Sequence, residues 1–212
     1  MYLSKLILNP RSRQVQKELG NLYELHRSLM RSFPDNTSRE KAALLYRLDT
    51  RREAFSTGIS ILAQSKIKPQ WDFLAERNGY LLSSPPAVKE IHADASLKGA
   101  FRFYLRANPT RRNKETRKLI PLHQEQQLGD WLLKNGKQYG FSFERENLLV
   151  RKMPPVAMFK REEGKTLHIQ LQAVDFSGIL QVTDSEKFVS GWQFGIGRGR
   201  SFGCGLLSLA RI

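Results

Sequence analysis

Twice along 212 residues the apolar pattern runs strand, helix, strand, strand, helix, strand. That order folds as an antiparallel sheet with two helices on one face, the ferredoxin-like arrangement. Residues 2–9 (YLSKLILN) alternate loosely and stop at Pro10, as a first strand does. Ser12 stands where it can cap a helix reaching to about residue 32, with Val15, Leu19, Leu22, Leu25, Leu29 and Met30 at helical spacing. Gly20 inside that helix costs roughly 1 kcal/mol against Ala, so packing must hold it. Strand-like runs follow at 42–49 and 54–63, then a short helix at 69–77 and a possible strand at 79–83. Pro85-Pro86 reads as a linker. The second half gives a strand at 100–107, a basic loop, and a helix over 122–139. Strand candidates lie at 141–145, 148–152, 156–160 and 167–174, the last with a clean period of two. Asp184 is placed to cap a helix to Trp192, and a glycine-rich loop leads to a final strand at 206–212. No residue-level repeat links the halves. The expected fold is α+β, two tandem ferredoxin-like βαββαβ domains with antiparallel sheets, at 1–88 and 89–212.

Charge limits what such a body binds. Lys and Arg number 35 against 20 Asp and Glu, a formal net charge of +15. Hydrophobic residues make up 40% and aromatics 10%, too much apolar material for a disordered basic tail. A folded cationic body attracts polyanions, nucleic acid first and an anionic membrane surface second. A single cysteine, Cys204, excludes a disulfide framework and suits a reducing cytoplasm. No apolar run approaches the ~18 residues of a membrane span, and residues 1–14 do not read as a signal peptide.

Three features could carry chemistry. The four histidines, His26, His92, His123 and His168, have no metal-ligand spacing, and neither a P-loop nor a GxSxG elbow is present, so no metal is expected. His26 lies close to the apolar side of the first helix with Tyr23 three residues before it. Such a pair can move protons near neutral pH, or it can be a core-edge pair with the imidazole satisfied by a backbone carbonyl. The loop GWQFGIGRGRSFGCG at 191–205 holds six of the fifteen glycines and the cations Arg198 and Arg200. Its glycines either bring backbone N–H groups to a phosphate or let the last strand enter a crowded sheet. A dinucleotide site fails on position, because no helix and no acidic residue follow. Basic residues cluster at Arg102, Arg106, Arg111, Arg112, Lys114, Arg117 and Lys118 against one acid, in a stretch that reads as a mobile loop. Arg151-Lys152 and Lys160-Arg161 flank Met153-Pro154-Pro155, as if on two sides of one hairpin offering four cations to phosphates.

The segment LYELHRSLMRSFP with Tyr23 and His26, the doubled element order, and the C-terminal GWQFGIGRGRSFGCGLLSLARI together resemble the CRISPR-repeat-processing endoribonucleases of type I-E systems, the CasE family. The resemblance implies RNA cleavage without metal or cofactor, by attack of a 2′-OH on the scissile phosphate. It places the catalytic His at His26, the catalytic Tyr at Tyr23, and a supporting cation at Arg31. The stem-binding hairpin falls near Arg151, Lys152, Lys160 and Arg161. It also implies a CRISPR repeat stem-loop as substrate, retention of the product as a subunit of the Cascade complex, and a cytoplasmic protein that is monomeric when free and binds no membrane. The rival readings are a non-catalytic structured-RNA-binding protein and, last, a membrane-surface protein.

Overall fold

The computed structural model describes residues 1–49, 58–83, 85–92, 97–162 and 165–212, with the side chains of 160–168 outside the description. The chain forms two compact units. The first comprises Met1–His92 together with Ala157–Gln170 and Ser201–Gly203. The second comprises Ala93–Val156, Leu171–Arg200 and Cys204–Ile212. The first unit thus takes in residues 89–92, 157–170 and 201–203, which the expected boundary after residue 88 gives to the second half.

The first unit runs β1 (Tyr2–Leu8), α1 (Arg13–Leu19), α2 (Leu22–Met30), α3 (Arg39–Ala42), β2 (Leu45–Asp49), β3 (Ile59–Ser65), α4 (Asp72–Ala75) and β4 (Ala87–Glu90). Its antiparallel sheet has the order β2-β3-β1-β4, which is the ferredoxin-like pairing. β1 buries Ser4, Leu6 and Leu8 and exposes Lys5 between them, the alternation expected of a strand with one covered face. Val15 from α1 and Leu25 and Leu29 from α2 are fully buried in the same unit.

The second unit contains β5 (Gly99–Ala107), β6 (Thr110–Arg112), β7 (Leu119–Pro121), α5 (Glu125–Gln138), β8 (Phe141–Ser142) and β9 (Leu149–Lys152). β10 (Val156–Glu162) and β11 (Lys165–Leu171), which lie almost wholly in the first unit and pair with each other, precede β12 (Val174–Val182), α6 (Ser185–Phe194) and β13 (Leu207–Arg211) of the second. The sheet order is β13-β5-β12-β8, with β9 also on β12, so the same topology appears twice. Its core holds Leu105, Leu128, Leu132, Phe176 and Leu180, all fully buried. Asp184 caps α6 by accepting from the Lys187 N–H at 3.1 Å, as the sequence predicts. Among the described residues no helix is long and apolar enough to cross a membrane.

Local expectations differ from the structure in several places. The single helix over 12–32 is two helices: Asn21 is extended (φ −145°) and its side chain accepts from the Tyr23 N–H at 3.4 Å, giving α2 its own N-cap. The basic segment after β5 is a two-stranded ribbon, β6 on β7, rather than a mobile loop. Its turn is held by Asn113, whose Oδ1 accepts from the N–H groups of Glu115 and Thr116 at 2.8 and 2.9 Å. The expected strand at 167–174 is largely β11, and the central strand β12 beyond it has no counterpart in the sequence reading. Finally, β9 and β10 do not form one hairpin. β9 pairs with β12, Lys152 opposite Val174, while β10 pairs with β11. Pro154 and Pro155 between them lack the N–H a ladder needs, whereas β10 and β11 are two residues apart.

Candidate active site

The helix α2 places Leu22, Leu25, His26 and Leu29 at spacings of three and four, a single buried stripe with one polar member. His26 is 3% exposed. Its ring stacks on Tyr46 of β2, with centroids 6.2 Å apart and planes 18° apart. Neither Nδ1 nor Nε2 has a hydrogen-bond partner among the described residues. Buried polar atoms normally have one, because stripping them of water without replacement is costly. A purely packed core-edge histidine would be expected to hold a backbone carbonyl, and none is there. Burial, and next the positive charge of Arg39, lowers the His26 pKa from 6.5 to about 4. The ring is therefore a neutral imidazole at pH 7, able to accept a proton.

Several contacts fix this helix. Asn21 Nδ2 donates to the Phe159 carbonyl of β10 at 2.9 Å, which anchors the N-terminus of α2. The Tyr46 hydroxyl donates to the Ser201 carbonyl at 3.0 Å and lies 3.4 Å from the Leu22 carbonyl. The aromatic floor under His26 is thereby tied both to its own helix and to the end of the glycine-rich loop. Tyr23 is half-buried, one turn before His26. Arg31 caps the C-terminal end of α2, is exposed, and lies with its guanidinium 5.3 Å from the centroid of the Phe73 ring. Arg39, on α3, is a cation that the sequence reading did not select, because nothing local distinguishes it from other surface arginines.

The pKa of His26 has a consequence for stability. Between pH 6.5 and about 4 the unfolded chain binds a proton at this ring and the folded protein does not. Stability supplied by the neutral ring is therefore present above pH 6.5 and lost as pH falls, by about 3 kcal/mol over the window. In a His26→Leu protein that part of the slope disappears. Urea midpoints of the two proteins at pH 7 and 4.5 measure it: the variant should gain on the wild type at the lower pH.

The cations expected to bind RNA are placed differently from one another. Arg102, Arg111, Arg112, Lys114, Arg117, Lys118, Arg151, Lys152 and Arg198 are exposed. Lys160 and Arg161 lie on β10, and their side chains are outside the described ones. Arg106 is held inside the second unit, with Nε 2.7 Å from Asp175 Oδ1 and Nη2 3.1 Å from Oδ2. Arg151 reaches the same Oδ2 at 3.1 Å from the surface side. Burial opposes charge on Arg106, but the hydrogen bonds and charge of Asp175 outweigh it and raise its pKa. Arg200 Nε donates to the Gly197 carbonyl at 3.1 Å.

The glycine-rich loop uses much of its backbone internally. Ile196 N–H donates to the Gly205 carbonyl at 3.0 Å, Cys204 N–H to Gly199 at 3.3 Å, and Gly205 N–H to Arg106 at 2.7 Å. Gly197 has φ +81°, and a Cβ there would come within 2.9 Å of the Trp131 ring. Close packing of the backbone accounts for this glycine, in line with the reading that lets the last strand enter the sheet. Among the described residues no cluster of three His, Cys, Asp or Glu could hold a metal ion.

The family model described as "CRISPR associated protein" matches residues 1–211. The chain is 34% identical to the CRISPR-associated endoribonuclease Cse3 of Thermus thermophilus, over 99% of this chain and all of that protein. It is 28% identical to the CRISPR system Cascade subunit CasE of Escherichia coli, over the full length of both. The structure of CRISPR endoribonuclease Cse3 bound to a 19-nt RNA superposes with a TM-score of 0.83 at 31% identity, covering 99% of this chain and all of that one. With the doubled topology and the helix that carries His26 and Tyr23, these full-length matches establish that the chain belongs to the CRISPR-associated protein family that includes Cse3 and CasE.

Proposed function

We propose that the chain is a metal-independent endoribonuclease that cuts CRISPR precursor RNA at repeat stem-loops. The observation that carries this reading is the buried, neutral imidazole of His26 with both nitrogens unpaired, on the helix that also carries Tyr23 and ends at Arg31. In the reaction the 2′-oxygen upstream of the scissile phosphate forms a bond to phosphorus while the bond from phosphorus to the 5′-oxygen breaks. The 2′-hydroxyl loses a proton and the 5′-oxygen gains one. His26 and Tyr23 carry these transfers, the neutral His26 entering as an acceptor. Arg31 offsets the charge that builds on the five-coordinate phosphate. The products are a 2′,3′-cyclic phosphate and a 5′-hydroxyl.

Binding rests on the exposed cations of the second unit and on the net charge of +15. An A-form stem hides its base edges, so phosphates and shape dominate recognition. The protein works in the cytoplasm and keeps its product as a Cascade subunit, a role supported by the name of the Escherichia coli relative.

The test is incubation with repeat RNA in EDTA. One cut per repeat is expected, leaving 5′-hydroxyl ends that a kinase labels without prior phosphatase. Binding without cleavage in EDTA, or 5′-phosphate ends, overturns the reading, and binding alone supports the non-catalytic RNA-binding alternative. Between 50 and 200 mM salt the binding constant should fall about a thousand-fold if some six phosphates are contacted. A constant unchanged across that range contradicts phosphate-led recognition.

A further inference from the structure

The sequence gives no hint that Glu18 matters: it is a charged residue at the end of a helix. In the structure it is 1% exposed, the most buried acid among the described residues. Four groups from three segments converge on its carboxylate. Ser28 Oγ of α2 donates to Oε1 at 2.6 Å, and Gln14 Nε2 of α1 donates to the same oxygen at 2.7 Å. The Tyr80 hydroxyl donates to Oε2. Arg77 Nη1 lies 3.6 Å from Oε1. Burial, then the hydrogen bond to Glu18 and its charge, raise the Tyr80 pKa, so this phenol stays protonated and remains a donor.

Two of these links lead to the catalytic helix. Ser28 sits two residues after His26, so the bond to Glu18 ties the turn carrying the imidazole to α1. The second link runs through Arg77. Its guanidinium lies 5.4 Å from the centroid of the Phe73 ring, the ring that Arg31 also approaches, at 5.3 Å. Two like charges beside one ring repel, and the carboxylate near Arg77 offsets one of them. Arg31 can then lie on Phe73 with its charge available to a phosphate.

We infer that Glu18 is a positioning residue for RNA cleavage: it sets α2 through Ser28 and sets Arg31 through Arg77 and Phe73. The inference rests on the reading of α2 as the catalytic helix with Arg31 as its cation. A buried carboxylate with four partners is stiff, because removing any one leaves a polar group unpaired. It therefore holds the reacting groups in one geometry, and small displacements of such groups are expensive in rate.

The experiment uses single-turnover cleavage of repeat RNA in EDTA at saturating protein, with stem-loop affinity measured alongside. Glu18→Gln should lower the cleavage rate about ten-fold while the dissociation constant changes less than about two-fold. Should that variant fail to fold, a double-mutant cycle between Phe73→Leu and Arg31→Ala decides. Phe73→Leu should lower the rate about ten-fold in the wild type and leave it unchanged in the Arg31→Ala background. Additive losses in the cycle overturn the inference, because a merely structural Phe73 costs the same in both backgrounds. Wild-type rates in both Glu18→Gln and Phe73→Leu also overturn it, provided His26→Ala is inactive. A fully active His26→Ala protein refutes the underlying assignment of α2 instead.

Discussion

Replacing His26 with alanine should lower cleavage of bound repeat RNA by about 10²–10⁴-fold, the usual worth of a positioned proton-transfer group. Affinity for the stem-loop should stay within a few-fold, because most of the exposed cations expected to bind RNA lie in the second unit. The expectation follows from three observations already joined at this ring: it is buried, it is held neutral near pH 7, and both nitrogens lack partners among the described residues. A side chain that only filled space would be replaced at the cost of a cavity, which lowers stability and leaves the rate on bound RNA intact. Single-turnover rates at saturating protein separate the two outcomes. A variant that melts earlier yet cuts at the wild-type rate makes His26 a packing residue.

Removing the Asp175 side chain should be the most damaging change in the second unit. Asp175 is 4% exposed and accepts two hydrogen bonds from Arg106, whose side chain is 12% exposed. Asp175→Ala leaves that guanidinium buried without its counter-charge, a loss of about 3–5 kcal/mol. For a chain of this size the melting temperature should fall by roughly 10 °C or more. Arg151 loses the same partner, but its side chain is 65% exposed and water takes over. The pairing, rather than the space it fills, is tested by Arg106→Met with Asp175→Leu. Deleting both charges should recover much of the loss, since no buried ion is then left alone. A double variant no more stable than Asp175→Ala places the damage in strand packing.

What could be read locally was read from the sequence. The alternation in β1, the stop at Pro10, the Asp184 cap and the last strand each depend on residues within one or two turns. The missed features have longer or quieter causes. β12 carries Asp175, Ser177 and Gly178 within its nine residues, so its period is broken, although Gly178 lies where a Cβ would come within 2.4 Å of the Asn147 carbonyl. β4 exposes all four residues and shows no period at all. The partner of β9 lies beyond an inserted hairpin, and no local pattern records it. At the candidate site, the placement of Tyr23 and His26 on one helix was legible because three residues along a helix make neighbours. Glu18 was not, because a charged residue on a helix normally faces water, and only the convergence of Ser28, Gln14, Tyr80 and Arg77 marks it as different.

The bond from Tyr46 to Ser201 spans 155 positions. A ribosome adding about 5–20 residues per second needs roughly 8–30 s to cover that distance. Throughout that interval α2 and its histidine have been made, while the carbonyl that fastens the tyrosine beneath it has not. A nascent chain halted anywhere before residue 201 therefore carries α2 without this fastening. Synthesis of Ser201 supplies it, so the ring packed on His26 is fastened only after those 155 positions have been covered.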